Sequence, residues 1–393
     1  MVEKEENEPL HYFPSEIGGI EKKKFQWKNI VFIGSIFLII IIITILLLVF
    51  LFEKSNDNSN ENDSNEPKDK VEIGIINCTY EINSVKEEVN IIGKDFENIS
   101  SFDIYINGKK ENPSKSYNFT KIGINTIIFK LYEDINMDNM FKNISFLISV
   151  EMTSKKKAKI LSMKSTFENC KNLEYFNVDG FSTEEIKSMK KLFFNTNLKQ
   201  LNFNILKANK IEDISYMFAL SKFESINTSF LDTRNVIDMS YLFYNCSNTI
   251  NIEISNLNTN KVKNMSHMFD GCTSITQLNL SYLETNNVED LSYMFKNCIG
   301  LKKLDLSNFN TKFVIDMSHM FEGCNSITSI NIENFNTEKV KNMSYMFKSC
   351  NHLGRINLKS FNTTEVLDMS GMFYYCNYLE RLDLSSFNLL KFT

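Results

Sequence analysis

The sequence has no excess of basic residues. It carries 43 Lys and Arg against 48 Asp and Glu, a formal net charge of −5, which excludes the charge signature of nucleic-acid binding. No Cys-x-x-Cys pair is present to suggest zinc. There is also no Gly-rich phosphate loop, no paired-carboxylate cleft, and no isolated Ser, His and Asp set. These absences point to a protein without catalysis, cofactor or metal. Residues 53–70 lack any aliphatic or aromatic residue and are expected to form a solvated acidic stalk.

One long hydrophobic run stands in contrast. Ile30 to Phe52 is uncharged and reaches roughly 34 Å as a helix, enough to cross a bilayer's hydrocarbon core. No small-residue cleavage site comes after it, so the run reads as an uncleaved signal anchor. Lys22, Lys23, Lys24 and Lys28 precede it, whereas Glu53, Asp57, Glu61, Asp63 and Glu66 lie beyond it. This places the polar tail 1–29 in the cytosol and the C-terminal bulk outside, as a single-pass type II membrane protein. From residue 71 to about 132, alternating segments such as VEIGIINCTYEI and INTIIFKLY predict a small all-β domain, placed to cap the N-terminal end of a repeat region.

That region, residues 133–393, is built from one recurring unit. Phe141, Phe167, Phe193, Phe218, Phe243, Phe269, Phe295, Phe321, Phe347 and Phe373 recur at 25 or 26 residues, a period that marks a solenoid. In one unit Met317, Met320, Phe321 and Cys324 fall at i, i+3, i+4 and i+7, which predicts a two-turn helix with one buried face. Only Asp or Asn precedes it, at 213, 238, 264, 290, 316, 342 and 368, as expected for a helix N-cap. Ile330 and Ile332 alternate with polar neighbours, as in a one-sided strand. Each unit therefore reads as strand, turn, short helix, turn, and stacked units share a parallel sheet.

The pattern (F/L)NTxxVxDMSxMFxxCxxLxxLDLS, over about residues 137–388, resembles the repeat of BspA-like leucine-rich-repeat surface proteins. That resemblance implies an α/β leucine-rich-repeat solenoid with short convex helices and a concave parallel sheet, and a role in binding host or matrix proteins. The expected sheet face presents Gln277, Asn279, Lys303, Asp305, Ser329, Asn331, Arg355, Asn357, Arg381 and Asp383. Such a face suits protein or glycan contacts, and its mixed charge implies no single charged polymer. The competing reading is a structural coat or spacer without a specific ligand.

Other residues recur too often to be reactive centres. Cys246, Cys272, Cys298, Cys324, Cys350 and Cys376 stand 26 apart. They are expected to be buried free thiols, because coils on the outer side of a curved leucine-rich solenoid lie too far apart for disulfides. His267 and His319 share a slot with Tyr216, Tyr241, Tyr293 and Tyr345, an expected exposed column with some capacity for stacking on a sugar or protein. In a glycosylating host Asn62, Asn77, Asn98, Asn118 and Asn143 head the candidate sequons, while Asn264 is occupied as a cap.

Overall fold

The computed structural model describes residues 70–85, 87–199 and 208–389. The apolar run Ile30 to Phe52, the tail, the stalk and Asn62 lie outside them. Among the described residues no helix is long and apolar enough to cross a membrane.

Among the described residues fourteen strands occur in order: β1 Gly74–Ile82, β2 Val89–Asn90, β3 Phe102–Ile106, β4 Lys109–Glu111, β5 Ser116–Tyr117, β6 Gly123–Leu131 and β7 Ile135–Asn136. Then come β8 Leu147–Thr153, β9 Ile160–Ser162, β10 Tyr175–Asp179, β11 Ser225–Asn227, β12 Asn251–Glu253, β13 Lys303–Asp305 and β14 Ser329–Asn331. The largest sheet has the order β10-β8-β1-β6-β3-β4. β1 alternates inward Ile76, Cys78, Tyr80 and Ile82 with more exposed neighbours, the period of a one-sided strand. It pairs antiparallel with β6 and β8, whereas β8 pairs parallel with β10. The sheet thus changes from antiparallel to parallel at β8, where the coils begin.

Beside that junction the Gly93 N–H donates to the Met140 carbonyl at 2.8 Å. A Cβ on Gly93 would strike the Asn139 carbonyl oxygen, so only glycine lets the chain lie flat on the first coil.

The predicted α/β leucine-rich architecture is not what the chain adopts. It is a β-solenoid, and the one helical element among the described residues is a 3-10 turn at Ile99–Ser101. Where a helix was expected, tight turns run in tandem. Met320 N bonds to Met317 O, Glu322 N to His319 O and Cys324 N to Phe321 O, each three residues back. The alternate N–H groups of Met317, His319, Phe321 and Gly323 donate to Asn342, Ser344, Met346 and Lys348 of the next coil, at 2.8–3.0 Å. A helix would spend those donors on its own carbonyls and leave nothing to join the coils. Left-handed backbone at His319 (φ 58°) and Gly323 (φ 74°) also forbids a helix. The spacing i, i+3, i+4, i+7 buries the same side chains in either geometry, so the apolar pattern could not tell them apart.

The Asp and Asn column caps turns rather than helices. Asp316 Oδ1 accepts the Ser318 N–H at 2.7 Å, and Asp213, Asp238, Asn264, Asp290, Asn342 and Asp368 hold the second N–H after them in the same way at 2.8–3.0 Å. The ten repeat phenylalanines stack into one column through the core, with neighbouring centroids 5.3–6.2 Å apart and planes within 18°.

On the strand side the hydrogen-bonded column is broken. β11 pairs with β12 and β13 with β14, each over three residues, and Arg355 bridges Arg381. The unbroken ladder runs along the turns, where every Asp or Asn from Asp213 to Asp368 bridges the next. The continuous backbone ladder therefore lies along the turns, and pairing along the strands is intermittent, unlike the continuous parallel sheet expected from leucine-rich repeats.

Candidate functional site: the strand face

The predicted ligand residues fall into two in-register columns on the strand side. Gln277, Lys303, Ser329, Arg355 and Arg381 form the first and are all exposed; Asn279, Asp305, Asn331, Asn357 and Asp383 form the second, exposed except for half-buried Asn331. Ile330 and Leu304 between the columns point into the core, so the alternation read from the sequence is the alternation present.

The two columns differ in what remains free. In the second, side-chain oxygens are engaged in holding the next turn: Asn279 accepts the Ser281 N–H at 3.1 Å, Asp305 the Ser307 N–H at 3.0 Å, Asn357 the Lys359 N–H at 3.2 Å and Asp383 the Ser385 N–H at 3.0 Å. Those N–H bonds hold the Asp305 carboxyl below its ordinary value, and at Asp383 the Ser385 hydroxyl and N–H do the same. Asn331 Nδ2 donates to Asp305 at 3.0 Å. The first column is less engaged; Arg355 reaches Glu380 at 3.3 Å, with both side chains largely exposed. A partner meeting this face finds fixed carboxylates and amides beside adaptable cations and Gln277.

The aromatic column lies on the turn side, and its faces are already used. Tyr216, Tyr241, His267, Tyr293, His319 and Tyr345 stack on one another at 4.2–5.0 Å. Each is half-buried and each has positive φ. Lys191 covers the outer face of Tyr216 at 5.7 Å from its centroid, and at the other end a Cβ on Gly371 would collide with the Tyr345 ring. The slot is neither exposed nor open for a sugar to stack upon.

Beside this column Glu322 is almost enclosed. Lys296 and His319 reach one carboxylate oxygen at 2.9 and 2.6 Å, and Lys348 reaches the other at 2.8 Å. Burial pushes its pKa up, but the bonds from Lys348, Lys296 and His319 overcome that and bring it to about 2. Three donors around one acid make a structural clamp between neighbouring coils.

The repeat cysteines are buried free thiols, with Cys376 half-buried. The reason differs from the one the sequence suggested. Gly323 N bonds to Lys348 O beside the slot at 2.8 Å, so coils stand at hydrogen-bonded spacing there, about 4.8 Å, inside the disulfide window. Each thiol instead donates to a phenylalanine carbonyl of the preceding coil, as Cys350 does to Phe321 at 3.2 Å and Cys272 to Phe243 at 3.1 Å.

Of the sequons, Asn77, Asn98, Asn118 and Asn143 are exposed. Asn143 also accepts a bond from Asn169 at 2.8 Å. Asn264 is tied to both the N–H and the hydroxyl of Ser266, at 2.9 and 2.7 Å.

Sequence reasoning missed the buried threonines. Thr285 donates to the Asn310 carbonyl at 3.0 Å and accepts the Asn310 N–H at 2.8 Å, and Thr233, Thr259, Thr311 and Thr337 bridge their next coils alike. The signal was present: a hydroxyl that recurs at one slot between apolar residues must have a buried partner.

In comparison with known proteins, a family described as "Mycoplasma protein of unknown function, DUF285" matches at residues 135–248, 212–327 and 299–393. These overlapping matches cover all the coils and more than half of the chain. No curated protein and no solved structure matches it.

Proposed function

This chain belongs to the DUF285 family, and we propose that it is a non-enzymatic recognition protein, anchored in the cell membrane by the run Ile30 to Phe52, that offers its strand face to protein or glycan partners outside the cell. The observation that carries this reading is the pair of in-register polar columns, from Gln277 and Asn279 to Arg381 and Asp383, displayed on coils locked by continuous hydrogen bonding. Side-chain oxygens already held by the turns that follow them, as at Asp305, Asn357 and Asp383, cost little to order on binding. The likeness of the repeat to BspA-like surface proteins supports the same direction.

The test is retention of the purified full-length chain on matrix proteins and host cells. Saturable binding that falls at least fivefold in the Arg355→Ala, Arg381→Ala double variant is the expected result. No binding across the panel, with ordered arrays of the protein instead, favours a coat or spacer role. Protease added to intact cells is expected to remove everything beyond Phe52; a protected C-terminal tag would reverse the orientation.

A further inference from the structure

On the strand face the Tyr282 coil departs from the coils on either side of it. In four coils a residue in the turn after the strand reaches back and ties its coil to the one before. Asn256 Nδ2 donates to the Thr228 carbonyl at 2.7 Å, Asn308 Nδ2 to Leu280 and Leu283 at 3.0 and 2.9 Å, Asn334 Nδ2 to Ser307 at 2.9 Å, and Ser386 Oγ to Leu358 at 3.0 Å. In the coil between Asn256 and Asn308 the slot holds Tyr282. A phenol cannot make this amide latch, and the ring turns outward, 55 % exposed, stacked on no other ring among the described residues.

The strand column fails at the same coil. Residues 276–279 make no backbone hydrogen bond to either neighbour among the described residues, although β12 before them and β13 after them are both paired. On the side where the latch is missing, a groove of about 450 Å³ opens, lined by Asn251, Glu253, Gln277, Asn279 and Tyr282. A second depression, about 200 Å³, lies on the other side of Tyr282 against Asn258, Asn260 and Glu284. The tyrosine is a ridge between two hollows.

The polar groups facing the larger groove are poorly used. Among the described residues nothing bonds to either amide atom of Gln277, and Glu253 engages one oxygen with the Ser255 N–H at 2.9 Å. Asn279 uses its oxygen on Ser281, and among the described residues nothing accepts from its NH₂. Neither hollow is lined by a lysine or arginine, and each contains a carboxylate.

We infer that the two hollows flanking Tyr282 form a binding site for a neutral oligosaccharide, whose ring C–H face lies on the phenol while its hydroxyls bond to Gln277, Asn279 and Glu253. This inference rests on the proposed role of the strand face and names one ligand class for it. A neutral sugar both donates and accepts, as open amides and unpaired backbone groups require. Its apolar face suits an aromatic platform. Carboxylates without cations disfavour sialylated or sulfated chains. Phe230 holds the same slot one coil before Asn256, but it is half-buried and packs against the core; Tyr282 instead stands outward beside a cleft that the asparagines on either side close, which places it for recognition rather than for packing.

The test uses the full-length chain on immobilised neutral hexose and N-acetylhexosamine oligosaccharides with sialylated counterparts. Tyr282→Asn restores the latch and is expected to raise Tm while lowering neutral-glycan retention at least tenfold. Tyr282→Phe keeps the platform and is expected to bind within about threefold of the parent, whereas Gln277→Ala weakens binding with no change in Tm. Absence of neutral-glycan binding, retention of sialylated chains alone, or equal binding by Tyr282→Asn and Tyr282→Phe would each overturn the inference. If any of these occurs while matrix-protein binding through Arg355 and Arg381 persists, the groove inference falls and the broader reading stands.

Discussion

The thiol of Cys324 donates to the backbone carbonyl of Phe295, one coil earlier, at 3.0 Å. Burial pushes the Cys324 thiol up to about 12. It should therefore resist alkylation in the native state and react once the chain unfolds. Because the folded value is raised, its stabilising contribution is complete below the unfolded value near 8.5 and is lost as pH rises towards about 12. Thermal melts from pH 8 to 12 should show a decline that Cys324→Ser, which keeps a donor at this position, diminishes. Rapid native alkylation of Cys324 would contradict the burial.

Phe321 is fully buried and stacks between Phe295 and Phe347 at 5.8 and 5.4 Å. Phe321→Ala removes a ring from the middle of the column and should cost about 3–5 kcal/mol. Hydrogen exchange should show the loss concentrated in the adjoining coils, since each coil is bonded to its immediate neighbours. A near-neutral variant would mean that the ring is not packed in the core.

Glu322 sits between Lys296, His319 and Lys348 with its pKa brought down to about 2. A depressed folded value means stability that is present above the ordinary carboxylate range and lost as pH falls from about 4.5 towards 2. Glu322→Gln should lower Tm at pH 7, by leaving two ammonium groups without their shared counter-charge, and should flatten the acid limb of the Tm profile. An acid limb unchanged by the substitution would place the titration elsewhere.

Gly93 lies against the carbonyl of Asn139 with no room for a Cβ. Gly93→Ala should displace the capping segment from the first coil, and limited proteolysis should then cut near residues 86–95 well before the later coils. Resistance equal to the parent would show that this contact gives way at little cost.

How far the sequence could be read depended on which property each residue type reports. The period, the buried Phe321 and the inward Ile330 were legible, because burial is written directly in apolar spacing. The turn conformation was not. Met317, Met320, Phe321 and Cys324 bury equally well on a helix or on tandem turns; the deciding feature was positive φ, carried visibly by Gly271, Gly323, Asn245 and Asn297 but also by Tyr293 and Tyr345, whose type gives no sign of it. Asp316 was recognised as a cap from its local hydrogen bonding, which is shared by helix starts and by turns of this kind. On the strand face the columns from Gln277 to Arg381 were legible by alternation. The groove at Tyr282 was not, because it arises from a latch that exists only between coils, and a search for what repeats passes over the position that does not.

The turn ladder also fixes how this molecule is able to vary. Every coil presents N–H groups to the coil after it and carbonyls to the coil before it, as Met317 does to Asn342 and Met343 to Asp368. Any coil can therefore stack on any other. Whole units of 26 residues can be inserted or excised without altering a single hydrogen-bonding rule, and each changes the length of the stack by about 4.8 Å. The length of the stack and of its two polar columns becomes a quantity that gene duplication adjusts in fixed steps, while a coil carrying its own exception, as the Tyr282 coil does, travels as a removable cassette.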